Sequence, residues 1–398
     1  MFDSLTPLPP DPILGVTAAF RRDTSPSKVD LGVGVYRDEP GLTPVPAAVR
    51  EAERQVLAAQ DSKVYVGPHG NPGFNAAIAR LALGPVYDAL EGRIATIQTV
   101  GGCGALRVGA ELLRAANAEA TIHVSDPTWA NHEPLLGSAG VRIERYPYHD
   151  APTQGVRFDD LLAQLERLPA GAVVLLHACC HNPTGADLDF AQWQALSDVV
   201  LARGLVPFVD LAYQGLGESL EADVAGLRHL AARAPELLLA ISCSKNFGLY
   251  RERVGALVVV ARDAQAAAIV ATHQARTGRR MYSMPPDHGA AIVARVLDDP
   301  ALRASWEAEL AGMTRHLAGL RGLLASRLAA RLPGRSFGWM TQQRGMFSLL
   351  GLPAPAIAAL QSEWHIYTPP DGRINFAGLS VANVDYVAEA LAALAKLG

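Results

Sequence analysis

Lysine is scarce in this 398-residue chain: Lys28, Lys63, Lys245 and Lys396 stand against 31 arginines, so a lysine here is not generic surface filler. Cysteine is equally rare. Four residues cannot build a disulfide framework in a chain this long, and the adjacency of Cys179 and Cys180 makes a mutual bridge awkward. A reducing, cytoplasmic setting is expected. The start, MFDSLTPLPPDP, lacks a basic segment followed by an apolar run. Apolar stretches such as Val254 to Ala261 and Ala172 to Leu176 fall far short of the ~20 residues that span a bilayer. Neither sign of charge dominates, the formal net charge being −4, which argues against nucleic acid and anionic membrane as partners. The 36 glycines and 27 prolines stay well under the roughly 25–30% share of low-complexity chains, and no three-residue glycine period occurs.

What is present is a large apolar fraction, 49%, with 19% charged residues, enough for two or three structural units at roughly 100–200 residues each. From about residue 45, helical periodicity alternates with short apolar runs bounded by turn residues, the sign of an α/β fold around a mostly parallel sheet. The expected strands are Ile94 to Val100, Thr121 to Ser125, Val141 to Tyr146, Ala172 to His177, Leu205 to Asp210, Leu237 to Ser242 and Val254 to Val260. The helical stretches include Ala47 to Ala59, Ala105 to Ala115, Phe158 to Leu168, Ala191 to Ala202 and Asp263 to Thr272. After Asp299 a long amphipathic helix, Ala301 to Arg331, leads into a strand-like run at Met346 to Leu350 and a helix, strand, helix ending. The expected division is an N-terminal arm and part of a small domain (1–42), a large domain (43–310) and a smaller α+β domain (311–398).

Ligands of parallel α/β sheets bind beyond the carboxyl ends of the strands, and three of those ends are unusual. Gly101-Gly102-Cys103-Gly104 after the first strand leads into a helix, so it is either a phosphate cradle of free N–H groups or a tight strand-to-helix turn. It matches neither G-x-G-x-x-G nor a Walker A loop, since no lysine follows. Asp210 closes an apolar strand, as a buried carboxylate needing a donor or as a helix cap. Lys245 follows Leu237 to Ser242 between Ser244 and Asn246. If desolvated there, it has the chemistry of a Schiff-base lysine; the alternative is an exposed loop position. His177, Cys179 and His181 alternate, but i, i+2 spacing does not close a tetrahedral metal site, and no C-x-x-C pair or G-x-S-x-G elbow occurs. No metal is expected. Cradle, strand-end aspartate and Schiff-base lysine are together the parts that hold pyridoxal phosphate.

Three motifs are more specific: Cys179-Cys180-His181-Asn182-Pro183-Thr184-Gly185, Asp210-Leu211-Ala212-Tyr213-Gln214-Gly215, and Ser244-Lys245-Asn246-Phe247-Gly248-Leu249-Tyr250 followed by Glu252-Arg253. With Asp11-Pro12-Ile13-Leu14, Leu31 to Tyr36 and Gly372 to Gly378, the chain resembles, almost end to end, the fold-type I, class I aminotransferases of the aspartate and aromatic amino-acid subgroup. Ala95 to Thr99, Val124 to Trp129 and Gly155 to Phe158 look closer to the bacterial aromatic branch.

The resemblance implies the fold of the PLP-dependent transferases of type I and pyridoxal 5′-phosphate as cofactor. Lys245 would form the covalent link to the cofactor and carry protons, and Asp210 would pair with the pyridinium nitrogen, with His132 behind it. Trp129 would stack on the ring, and Asn182 and Tyr213 would hydrogen-bond its phenolic oxygen. Gly102, Cys103, Ser242, Ser244 and Arg253 would hold the phosphate, with Tyr65 reaching in from a second subunit of a homodimer. Arg373 would clamp the α-carboxylate, Arg279 would cross the interface to a distal carboxylate, and Gly34 and Phe347 would line the substrate cavity. Two positions depart from the family pattern: Cys103 replaces Thr or Ser, and Met284 replaces a small or polar residue. The activity implied is transfer of an amino group from tyrosine or phenylalanine, and from aspartate, to 2-oxoglutarate. The alternatives are an aspartate-specific enzyme, a different outcome such as β-elimination or decarboxylation, or a non-catalytic binding protein on the same fold.

Overall fold

The computed structural model describes residues 1–8 and 12–395. Asp11 and the fourth lysine, Lys396, lie outside the described residues. Seven segments rich in Val, Ile and Leu pair into one sheet: β1 (Ile94–Val100), β2 (Thr121–Asp126), β3 (Arg142–Pro147), β4 (Val173–His177), β5 (Val206–Leu211), β6 (Leu237–Ser242) and β7 (Val254–Val260). Three match their sequence expectation, two shift by one residue at one end, and two shift by one residue at both ends. The spatial order is β1-β7-β6-β5-β4-β2-β3. Every pair is parallel except those of β7, which runs antiparallel to both β1 and β6.

All residues of β6 and β7 are buried, as central strands covered by helices on both faces must be. The reversal of β7 has a consequence for chemistry. Val254 stands opposite Val100, and Gly255 opposite Ser242. The amino end of β7, and Arg253 just before it, therefore open on the same edge as the carboxyl ends of β1 and β6.

Two helices differ from expectation for identifiable reasons. The helix after β1 spans Gly101–Ala116, four residues earlier than the apolar pattern indicates, because its first turn is made of glycine and cysteine. A Cβ on Gly101 would stand 2.5 Å from Arg253 Nη2, so the close approach excludes the side chains that would have marked the start. The helix Ala264–Tyr282 runs ten residues past its expected end. Gln274, fully buried, interrupts the apolar stripe there, yet it is held by Nε2 donating to the Ala95 carbonyl at 3.3 Å. Helices Pro72–Leu83 and His288–Asp298, which the sequence reading left unassigned, add further cover.

The N-terminal segment joins the C-terminal one: Val29–Asp30 pairs in parallel with Ile366–Tyr367, and Phe347–Leu349 pairs antiparallel with Arg373–Asn375. The helix Pro300–Arg331 starts on Asp299, whose Oδ1 accepts from Ala301 N and Leu302 N. Its first half bonds to the sheet unit, with Trp306 Nε1 donating to the Asn246 carbonyl at 2.7 Å and Thr314 Oγ1 to that of Gly215. Its second half bonds to the C-terminal segment through Arg321, which donates to the Met340, Arg344 and Gly345 carbonyls. Among the described residues no helix is long and apolar enough to cross a membrane.

Trp306 is fully buried and stacks on Phe247 with ring centroids 4.4 Å apart. It thereby fixes the loop that follows Lys245. Trp306→Ala should lower unfolding free energy by about 3–5 kcal/mol, the usual cost of an indole-sized cavity. Denaturant unfolding checks this, and a loss below about 1 kcal/mol would mean that the loop is fixed by other contacts.

Candidate active site

The strand ends converge on a cavity of about 220 Å3 between the sheet and the C-terminal segment. Lys245 enters it from the end of β6, Asp210 from β5, and Gly102 and Cys103 from the helix that follows β1. Trp129 comes from the loop after β2, Asn182 from the turn after β4, and Arg253 from the start of β7. Gly34, Tyr213, Ser242, Ser244, Phe347 and Arg373 complete the predicted members. His132 lies behind Asp210. Tyr65 and Arg279 are not brought to the cavity of this chain: Tyr65 is 81% exposed, and Arg279 lies in the last turn of Ala264–Tyr282, bonded to Ser283 Oγ. Met284 does not line the cavity either.

Asp210 is buried, and its Oδ2 lies 3.2 Å from His132 Nε2. Burial alone would raise its pKa, but the His132 hydrogen bond and the positive charge of its neighbours, Lys245 among them, outweigh this and hold the carboxyl below its ordinary value. A carboxylate only accepts, so His132 donates from Nε2, and its Nδ1 accepts from the Thr128 hydroxyl at 2.7 Å. Thr128 in turn accepts from His177 Nε2 at 3.3 Å. Burial drives His177 down to about 3, so that ring stays neutral and the relay ends in an uncharged group.

Lys245 has its pKa lowered, chiefly by burial; Asp210 and Cys103 oppose the shift, while Arg253 and Arg373 add to it. Its Nζ stands 5.1 Å from the centre of the Tyr213 ring. A lysine so placed loses its proton more readily than a surface lysine, as a nucleophile and proton carrier must.

The cradle is built by close approach. A Cβ on Gly102 would stand 3.0 Å from Ser242 Cβ, and the Gly101 N–H donates to the Arg253 carbonyl at 2.9 Å. Arg253 Nη1 donates to Ser244 Oγ and to the Tyr250 carbonyl. Free N–H groups of a 16-residue helix, two serines and a guanidinium thus surround one end of the cavity, which favours a dianion. Cys103, in the first helical turn, has a pKa raised mainly by burial. It presents a neutral thiol, so no thiolate opposes an anion there.

At the other end Arg373 is 4% exposed and forms no ion pair among the described residues. Its Nη2 donates to the Gly32 carbonyl at 2.9 Å and its Nη1 to Asn182 Oδ1 at 3.1 Å, while the buried Nε has no partner. The guanidinium lies 4.2 Å from the centre of the Phe347 ring. An orphaned N–H on a buried guanidinium awaits an acceptor, and a carboxylate fits it in two-pronged fashion.

The residues present fit pyridoxal phosphate: a phosphate cradle, a charged carboxylate at the right depth, a deprotonatable lysine and a flanking indole. Sequence reasoning missed three parts of this site. Thr128 could have been found from its four-residue spacing to His132. His177 and Tyr250 both line the cavity; the first was weighed only as a metal ligand, and the second appeared only inside a motif.

Comparison with known proteins agrees with this geometry. The family model described as aminotransferase class I and II matches residues 26–391. A tyrosine aminotransferase of Rhizobium meliloti is 47% identical over 388 residues, covering 98% of both chains. An aspartate aminotransferase of Escherichia coli is 41% identical over 395 residues, covering 99% of this chain and all of that one. Among solved structures, an aromatic-amino-acid aminotransferase of Burkholderia pseudomallei, covalently bound to pyridoxal phosphate, superposes with a TM-score of 0.95 at 46% identity, covering 99% of each chain.

Proposed function

Because the chain belongs to the class I and II aminotransferases, we propose that it is an aromatic amino-acid aminotransferase that also accepts aspartate, with pyridoxal phosphate as cofactor and 2-oxoglutarate as amino acceptor. The observation that carries this reading is the meeting, in one cavity, of Lys245 and Asp210 with a buried Arg373 whose Nε is unpaired. The names of the relatives, tyrosine and aromatic on one side and aspartate on the other, support the dual substrate range.

When bound, pyridoxal phosphate supplies an electron sink that stabilises negative charge at the substrate's Cα. Asp210, kept ionised by His132, holds a proton on the pyridine nitrogen. Trp129 would cover one face, while Asn182 and Tyr213 would hydrogen-bond the phenolic oxygen. Gly102, Cys103, Ser242, Ser244 and Arg253 hold the phosphate. Arg373 would fix the α-carboxylate in the cavity that Lys245 also lines. Lys245 would take the Cα proton as a base and hold it as the conjugate acid until it is returned. The two half-reactions share the cavity, the amino acid leaving as an oxo acid before 2-oxoglutarate enters.

In this reading the enzyme is a homodimer of the cytoplasm. Each subunit lends Tyr65 to the partner's phosphate and Arg279 to its distal carboxylate. The exposure of Val64 and Tyr65, 80% and 81%, supports it, since two adjacent large apolar side chains rarely face water in a finished assembly. The four free cysteines fit a reducing compartment.

A buried arginine facing an aromatic ring would lack a partner, so Arg279 must stay outside when tyrosine binds and enter only for a dicarboxylate. Its hydrogen bond to Ser283 is such an outward position. Arg279→Ala should therefore lower kcat/KM for aspartate by about 100-fold or more, as expected for a lost charge-assisted pair, and leave tyrosine within a few-fold. Steady-state kinetics with 2-oxoglutarate decide the matter. Equal losses for the two donors would sink the assignment, and a wild-type enzyme inert toward tyrosine would favour an aspartate-specific enzyme.

A further inference from the structure

Beside the turn that carries Asn182 lies another cavity, of about 390 Å3, that shares no lining residue with the cofactor cavity. Cys179 lines it, with Trp193 and Phe190 as its aromatic wall and Arg344 and Glu218 among its polar residues. The Cys179 and Cys180 sulfurs and an Asp223 carboxylate oxygen all lie within 4.8 Å of one another, and both cysteines are free and buried. Nothing in the proposed reaction uses these thiols.

The surroundings narrow what such a pair can bind. Asp223 is not available as a ligand: its Oδ2 accepts from the Gly215 and Gly217 amides and its Oδ1 from those of Glu218 and Ser219. Four donors occupy the lone pairs of a carboxylate. A tetrahedral zinc site therefore lacks its further ligands. The Cys180 sulfur is closed in by backbone, since a Cβ on Gly217 would stand 3.1 Å from it and one on Gly345 2.8 Å. Of the two thiols, Cys179 is the one that lines the aromatic cavity.

Charge narrows it again. The hydrogen bond to Cys180, then burial, raises the pKa of Cys179, burial raises that of Cys180, and the carboxylates of Asp223 and Asp187 push both up further, so a ligand that leaves a net thiolate charge is disfavoured. A ligand that replaces two thiol protons and leaves a neutral product is not.

We propose that Cys179 and Cys180 form a chelating site for a trivalent, monosubstituted arsenical, a thiophilic metalloid whose organic substituent fills the cavity beside Trp193 and Phe190. Two As–S bonds replace two As–OH bonds, each thiol proton leaves with a hydroxyl as water, and arsenic stays trivalent. The site is independent of the substrate assignment.

The test uses the holoenzyme and phenylarsine oxide in the presence of excess 2-mercaptoethanol, which strips arsenic from single thiols. Wild-type protein should retain one equivalent after gel filtration, with the mass of one phenylarsine group less two protons. Peptide mapping should place it on residues 179–180, and 2,3-dimercaptopropanol should remove it. Cys179→Ser and Cys180→Ser should each fall from one equivalent to none. Retention of the label by either variant, or its location at Cys103 or Cys243, would overturn the proposal. So would a native protein that takes up none while its urea-unfolded form takes up one, an outcome read on wild-type protein and independent of how the variants fold.

Discussion

Lys245→Ala is expected to abolish transamination, lowering kcat by about 10⁴-fold or more, the upper range for loss of a general acid–base group with loss of the covalent anchor added to it. Three observations carry this size. Lys28 is engaged elsewhere, its Nζ donating to the Phe20 and Asp23 carbonyls, and Lys63 lies on the surface beside Gln60. Neither can substitute. Burial already favours the neutral amine of Lys245, whereas Arg253 and Arg373, the other cations of the cavity, do not deprotonate in proteins. The cradle, Asp210 and Trp129 remain intact in the variant, so pyridoxal phosphate should still bind, as a non-covalent complex. Borohydride should fix the cofactor to wild-type protein and release it freely from Lys245→Ala on denaturation. Cofactor fixed to the variant, or residual activity above about 1% of wild type, would remove Lys245 from its role.

The parts of this molecule that were legible in the sequence are those where burial is simple. The continuous apolar runs of β6 and β7 can only be strands covered on both faces, and their bounds were readable to the residue. The site was legible where a rare residue met a strand end, as with Lys245 and Asp210. Legibility failed where one side chain serves two environments. Gln274 looks like the end of a helix because it is polar, yet it sits buried against the sheet. His177, Cys179 and His181 read as one face of a strand, but β4 stops at His177 and Cys180 adopts a positive φ of 52°. The alternation breaks there. The rings of His177 and His181 come to 4.1 Å, while Cys179 turns to Cys180 and Asp223. A hydrogen-bond relay and a dithiol pair result, and residue spacing cannot show a break in backbone direction. The reversed direction of β7 was equally hidden, and only that reversal explains how Arg253 reaches the phosphate end.

Arg373→Ala should show the second large effect, and of a different kind. Removing one partner of a buried, hydrogen-bonded charge pair costs about 2–5 kcal/mol, which is roughly 30- to 4,000-fold in kcat/KM. The loss should fall on every amino donor and on 2-oxoglutarate alike, since all carry the α-carboxylate; Arg279→Ala should spare tyrosine. In the structure two of the five N–H groups of Arg373 are used within the chain, and these hold the fork in place before substrate arrives. The arginine is therefore organised in advance, and little binding energy is lost in ordering it. Arg373→Lys should recover only part of the activity, because an ammonium can answer neither Gly32 and Asn182 nor both carboxylate oxygens at once. The same variants separate positioning from affinity. If Arg373 also aims the Cα hydrogen at Lys245, kcat must fall along with the rise in KM. A KM rise at unchanged kcat would leave Arg373 a carboxylate anchor and nothing more.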